Sequence, residues 1–376
     1  MISNNSERFI NILYYTFVFS VGFYLFYNEA RIVNSDLYLH IRLTNDFFQN
    51  HLYIPHPGFH TLVYILHMIM FIDLTYSATI ILSLCLVFIS YIIYRIIEHF
   101  VPTLSLSWKI FITTGLILVS AIYLPFFNTS VYLGQWSPNV WHNPTLIALK
   151  PFAYISFFLG VNYFFYSETK INKRFLLLSI ALVVSLIMKP NFLIAFLPAL
   201  FIYLFIKKYK NLSWLRVFVM LCVPIIIVLI FQYWGYANTQ KNDHMIFTFF
   251  GVWRLYSPNI FFSIILVTAF PLALYMLKYN ECMKNHYLNV SWIAYIISVL
   301  QFSFLAEAIE FRSGNWAWGM MTILPILFLF STIEFLKMWD RKKNSWKINI
   351  LSLLFALHLC SGIYYFLKVI TIHDYN

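Results

Sequence analysis

The chain has 376 residues, of which 61% are hydrophobic and only 10% charged, and its formal net charge is +11. A soluble domain carries about 25% charged residues. So little charge cannot cover a water-facing surface, which excludes a soluble enzyme, a disordered chain and a nucleic-acid-binding domain. The apolar runs are continuous and do not alternate, which argues against a transmembrane β-barrel. The expected fold is all-α: a polytopic helical membrane bundle of about 11 transmembrane helices, with residues 1–376 forming a single integral-membrane domain. Membrane lipids are its surroundings, and the basic balance is read as the Lys and Arg of cytoplasmic loops beside anionic headgroups.

In chain order, the apolar runs predict spans at 9–27, 77–97, 109–125, 149–166, 175–188, 191–206, 216–235, 259–277, 290–306, 316–336 and 347–367. The first is read as a retained span that also serves as insertion signal. The basic loops SETKINKR, KKYKN and DRKKN fall on one side. By the positive-inside rule this predicts a multi-pass protein of the cell inner (plasma) membrane, with a cytoplasmic N-terminus and a periplasmic or extracellular C-terminus. Cys85, Cys222, Cys282 and Cys360 have neither metal nor redox spacing. No metal site and no cofactor is expected.

Polar residues gather in the predicted outer loops. Residues 29–60 carry Glu29, Asp36, His40, Arg42, Asp46, His51, His56 and His60. Asp36 and His40 are four apart, as are Arg42 and Asp46, so each pair shares one face if the segment is helical. The loop is read either as an amphipathic interfacial helix or as a site wall carrying a carboxylate base. The run Phe59–Ile72 is too short to span and predicts a re-entrant or interfacial helix. Asp73 is read as ending it, and His67 and His358 as satisfied core histidines.

The next outer loop, 126–151, contains Trp136 and Trp141-His142-Asn143-Pro144. Indoles commonly form an interfacial belt. The His-Asn pair at a helix mouth is read as a candidate for substrate binding. Lys189-Pro190-Asn191 interrupts 175–206, and irregular backbone at depth is tolerated only where it lines a protein-buried or wet cavity. Lys189 either snorkels to the interface or binds an anion. Lys241, Asp243, His244 and Arg254 follow, then Glu307, Glu310, Arg312 and Asn315 between two spans. Lys189, Arg254 and Arg312 are expected to converge as a cationic clamp.

A carboxylate beside cations at a membrane surface suits glycosyl transfer from a lipid phosphate. A base takes the acceptor proton and a cation steadies the leaving phosphate. No P-loop, dinucleotide fingerprint, HExxH or GxSxG motif is present.

Asp36-Leu37-Tyr38 after the first span, His56-Pro57-Gly58-Phe59 opening a short apolar helix, and Ala78 beyond it resemble the GT-C superfamily of polytopic glycosyltransferases. Lys150-Pro151, Lys189-Pro190-Asn191 and Glu307, Arg312 and Asn315 are similar to features of bacterial surface-polysaccharide, O-antigen polymerase-like members. The chain lacks the paired acidic residues of the protein O-mannosyltransferase branch. The resemblance implies a catalytic base at Asp36. It also implies polyprenyl-phosphate-linked or polyprenyl-pyrophosphate-linked glycan donors, a glycan acceptor, and either single-sugar transfer or polymerisation. The competing classes are a transporter or flippase of lipid-linked oligosaccharide, disfavoured by the absence of a visible repeat, and a membrane-bound acyltransferase.

Overall fold

Apolar segments of this length satisfy their backbone hydrogen bonds internally only as helices, and helices account for nearly all regular structure here. The computed structural model describes residues 4–167, 171–208, 210, 213–239, 244–341 and 345–373. Lys241 and Asp243 lie outside the described residues, as do Lys170, Lys342 and Lys343 of the basic loops.

The helices are α1 (Asn4–Arg31), α2 (Asp36–Gln49), α3 (Gly58–Met70), α4 (Leu74–Phe100), α5 (Leu106–Leu118), α6 (Pro144–Phe165), α7 (Lys173–Met188), α8 (Asn191–Lys208) and α9 (Ser213–Thr239). After a short strand β1 (Met245–Phe247) come α10 (Gly251–Tyr256), α11 (Ile260–Leu277), α12 (Tyr279–Cys282) and α13 (His286–Phe304). Strand β2 (Leu305–Glu307), α14 (Ala317–Arg341) and α15 (Trp346–Ile372) complete the chain. Among the described residues, nine helices are long and apolar enough to cross a membrane: α1, α4, α6, α8, α9, α11, α13, α14 and α15. The protein is thus a multi-pass helical bundle.

One predicted span is shorter than expected: α5 has 13 residues and stops at Leu118, whereas α7, with 16, covers all of its predicted run. The reason for the early stop is local. Asn139 donates its Nδ2 to the carbonyls of Leu116 and Val119 at 3.1 and 2.9 Å, closing the end of α5. Residues 119–143, expected as the end of a span to 125 followed by an outer loop, instead run without regular helix or strand and fold largely inward. Ser120 bonds Ser137 at 2.7 Å, and buried Lys150 of α6 donates to Pro138 O and Asn139 Oδ1 at 3.2 and 2.9 Å. His358 of α15 bridges the Ser120 carbonyl and the Phe270 amide at 2.6 and 3.3 Å.

Helix α14 is buried along nearly all its length and packs on α8 and α13, forming the core. The outer layer of α1, α9 and α15 leaves many apolar side chains exposed, as lipid contact requires. Strands β1 and β2 pair antiparallel, with Met245 opposite Glu307 and Phe247 opposite Leu305.

Candidate functional site

The site grows from the turn between α1 and α2. Asn34 takes a left-handed φ of 69°, reversing the chain. Ser35 then caps α2 by accepting the Tyr38 amide at 3.1 Å, while its hydroxyl donates to Glu29 O at 2.8 Å. Asp36 therefore is not the cap. It stands in the first turn, where the helix dipole favours a carboxylate, and its Oδ2 accepts from Nδ2 of Asn143 at 3.3 Å.

Asn143 caps α6. Its Oδ1 accepts from the Leu146 amide at 2.9 Å, from the Thr145 hydroxyl at 3.0 Å and from Lys189 Nζ at 3.1 Å. Lys189 also donates to Thr145 Oγ1 at 3.0 Å and lies 4.6 Å over the Trp318 ring of α14. It is buried, so snorkelling to water is not its role. The break that places it is held by a close approach. A Cβ on Gly58 would stand 2.9 Å from the Ile187 carbonyl and 2.8 Å from Met188 Sδ. Only glycine lets the start of α3, with His56 and Pro57, press against the end of α7.

Histidines line the same region. His40, four residues and about one turn after Asp36 on α2, meets His60 of α3 through an Nδ1 to Nε2 contact of 3.0 Å. His142 lies 5.0 Å from the Tyr132 ring and 6.3 Å from Trp318. Burial pushes His56 down to about 3, helped by Lys189 and His60, and burial alone pushes His60 down to about 4. Burial also lowers His142 to about 4, with Asp36 pulling upward and Lys189 downward. His40 falls well below the usual range through burial and then the charges of His60, Lys189 and His56. These imidazoles are neutral at pH 7 and act as hydrogen-bonding groups. Burial lowers Lys189 to about 7, and Asp36 opposes that shift. The Asp36 carboxylate thus stands with one amine poised near neutrality and a wall of uncharged imidazoles.

Asn315 extends the network. Its Nδ2 donates to Glu307 Oε2 at 2.5 Å, its Oδ1 accepts from Trp318 Nε1 at 3.3 Å, and its backbone carbonyl accepts from Asn191 at 3.0 Å. The structure therefore joins Asp36, His40, His56, His142, Asn143 and Lys189, with Glu307 and Asn315 attached through Trp318. Arg42 is exposed on α2. Arg254 is exposed beside the Phe249 ring at 5.9 Å, and Arg312 is exposed with its backbone carbonyl accepting from Tyr256. Both arginines are exposed, whereas Lys189 is buried. Trp141 is buried against Phe366 at 4.9 Å and serves packing. Asp46 accepts from Asn50 at 3.0 Å at the far end of α2. Asp73 caps α4 by accepting the Tyr76 amide at 2.9 Å.

Sequence reasoning did not single out Thr145, Tyr132 or the His40–His60 contact. The four-residue spacing of His56 and His60 at a helix start was an available signal. Thr145 and Tyr132 had none, because folding alone brings them in. Among the described residues, no group of three or more His, Cys, Asp or Glu side chains is arranged to hold a metal ion. No protein-family model matches the chain, and no curated protein matches it.

Proposed function

We propose that the protein is a GT-C-like membrane glycosyltransferase of the outer face of the plasma membrane. It uses a polyprenyl-phosphate- or pyrophosphate-linked sugar or oligosaccharide to build a cell-surface polysaccharide, with about 11 crossings, a cytoplasmic N-terminus and the Asp36 site outside. The observation that carries this reading is the Asn143 amide, which holds a half-buried carboxylate and a buried lysine at one end of the bundle.

Asp36 accepts the proton of the acceptor hydroxyl, and that oxygen forms a bond to the anomeric carbon. The bond from that carbon to the phosphate oxygen breaks, its electron pair leaving with the phosphate. Lys189 in its ammonium form balances the charge that develops. Neutral imidazoles and the Trp318 and Tyr132 rings offer hydrogen bonds and flat faces to a sugar. An apolar groove of about 450 Å³ supports the lipid-linked donor, with Leu62 of α3, Phe88 of α4 and Phe152 of α6 on its walls. Phe152 lies seven residues beyond Thr145, about 10 Å along α6, a natural distance between a headgroup and its tail.

The test is release of polyprenyl phosphate or pyrophosphate from a panel of short-chain lipid-linked sugars by the protein in nanodiscs. Asp36→Asn is expected to lower turnover by about 10²–10⁴, and Asp46→Asn to leave it within a few-fold. Full turnover in Asp36→Asn overturns the assignment. Movement of the lipid across vesicles with no new glycosidic bond replaces transfer with transport.

A further inference from the structure

A cavity of about 560 Å³ with charged residues on its walls opens at the other end of the bundle. Helix α6 runs from the Asn143 cap to Phe165, and its 22 residues span about 33 Å. Tyr166, next in the chain, lines the cavity. Helix α14 makes the same journey, from Trp318 beneath Lys189 to Glu334 and Lys337 on the cavity wall.

Three lysines reach this cavity from three different segments. Lys278 follows α11, Lys284 precedes α13 and Lys337 belongs to α14. Two carboxylates face them. Lys278 lies 3.4 Å from Glu281 and Lys337 lies 2.8 Å from Glu334. Asn285 donates to Glu334 at 2.7 Å, so this wall is fixed. Lys284 is exposed and makes no ion pair among the described residues, which leaves the cavity one positive charge in excess. The floor is aromatic: Tyr166 stacks on Tyr287 at 5.5 Å, and Lys337 Nζ lies 5.1 Å over Phe100.

We propose that this cavity binds a phosphate ester that carries free hydroxyls, the chemistry shared by an anionic lipid headgroup and a free sugar or glycerol phosphate. Glu281 and Glu334 offset Lys278 and Lys337, so the charge of Lys284 is the one left to attract an anion. Lys284 supplies the unmatched charge for the phosphate, and Lys278 and Lys337 lie beside it. Glu281 and Glu334 have lone pairs left to accept from hydroxyls. The volume falls within the 300–1,000 Å³ typical of small-molecule sites. The place is right for a headgroup, at the ends of membrane-crossing helices. The inference is independent of the role given to Asp36.

The experiment compares thermal unfolding of the full chain in three settings. These are phosphatidylcholine nanodiscs, the same discs with phosphatidylglycerol, and phosphatidylcholine discs with added glycerol 1-phosphate. Relative to phosphatidylcholine discs alone, whose headgroup phosphate carries no free hydroxyl, the wild type is expected to be stabilised in at least one of the other two settings. Lys284→Gln, which alters an exposed side chain, is expected to raise the half-saturating concentration on the order of tenfold, as loss of a charged hydrogen bond implies. Lys207→Gln removes the same charge at the same end, at the last turn of α8 outside the cavity, and is expected to leave binding unchanged. Stabilisation by phosphatidylglycerol alone assigns a lipid headgroup, and stabilisation by both assigns the phosphate ester in either form. No stabilisation in either setting overturns the proposal. An equal loss in Lys207→Gln overturns it too, because binding is then diffuse surface attraction.

Discussion

Asn143 donates one hydrogen bond of 3.3 Å to Asp36, across 107 positions of chain, and the direction of that bond is fixed. The Leu146 amide can only donate, so the Asn143 atom it meets at 2.9 Å must be the oxygen. The nitrogen therefore faces Asp36. Lys189 binds the oxygen end at 3.1 Å. One amide thus ties the first turn of α2 to the cap of α6 and to the break after α7.

Replacing that amide tests the arrangement. Asn143→Asp sets a second carboxylate against Asp36, and like charges so close raise the pKa of one of them. A base must be deprotonated, so the acidic limb of the pH–rate profile is expected to move to higher pH by about one unit or more. Asn143→Ala removes a helix cap, and thermal unfolding should show a loss of about 1 kcal/mol. An unmoved acidic limb in Asn143→Asp removes Asp36 from the role of base.

The histidine wall sets an acid limit on stability. The folded pKa of His60 is about 4, below the ordinary 6.5, so the folded form favours the neutral ring. Its contribution is complete above pH 6.5 and is lost as pH falls from there through about 4. A shift of this size is worth at most about 3 kcal/mol. His56, lowered to about 3, acts in the same direction and further into acid. Unfolding temperatures measured between pH 7 and 4 should drop for the wild type and drop less for His60→Gln.

His358 is a structural histidine with a fixed tautomer. The Ser120 carbonyl can only accept and the Phe270 amide can only donate, so Nδ1 carries the proton and Nε2 receives one. His358→Leu leaves two buried backbone groups unmatched, each costing about 1–3 kcal/mol. The measurement is the unfolding temperature in detergent. A shift as small as that of a lipid-facing substitution such as Leu353→Ala would show that the bridge contributes nothing.

How far the sequence was legible depends on the distance over which each signal acts. A long apolar run is a local signal, and each predicted span corresponds to a helix, though α5 stops early and neither α5 nor α7 is among the nine long enough to cross a membrane. The 14-residue apolar run after His56 appeared as the 13-residue α3. Asp36 and His40 on one face of α2 followed from spacing alone. The burial of 119–143 did not, because its partners Leu116, Lys150 and His358 are set by tertiary contact. The partners of Lys189 were illegible for the same reason, since they come from α6 and α14.

Topology is open to direct labelling. The basic-loop asymmetry expects the end of the bundle bearing Asp36 to face outward. In a cysteine-free background, a cysteine at Asn50, which is exposed after α2, should react with a membrane-impermeant thiol reagent added to whole cells. A cysteine at exposed Lys173, at the start of α7, should react only after the cells are opened. The reverse pattern would move the site to the cytoplasmic side and with it the proposed donor.

The most discriminating prediction concerns Lys189 and pH. Its folded pKa is about 7 against an ordinary 10.5, chiefly from burial. Between these values the unfolded chain holds a proton that the folded chain has released, so stability rises as pH rises from about 7 to 10.5. Lys189→Met removes that rise. Binding runs the other way. A phosphate prefers the ammonium form, which dominates below about pH 7, so affinity for polyprenyl phosphate should weaken above it by up to tenfold per pH unit. Trp318, 4.6 Å beneath the ammonium, gives a fluorescence signal for that titration. Lys189→Gln should bind weakly at every pH. Lys189→Arg keeps its charge far above pH 7, so its affinity, whatever its level, should stay flat from pH 6 to 9. If the lysine is only a strut between α6 and α14, all three variants lower the unfolding temperature and the wild-type affinity shows no break near pH 7. A flat wild-type profile would therefore remove Lys189 from phosphate recognition while leaving its hydrogen bonds to Asn143 and Thr145 as the reason it is buried.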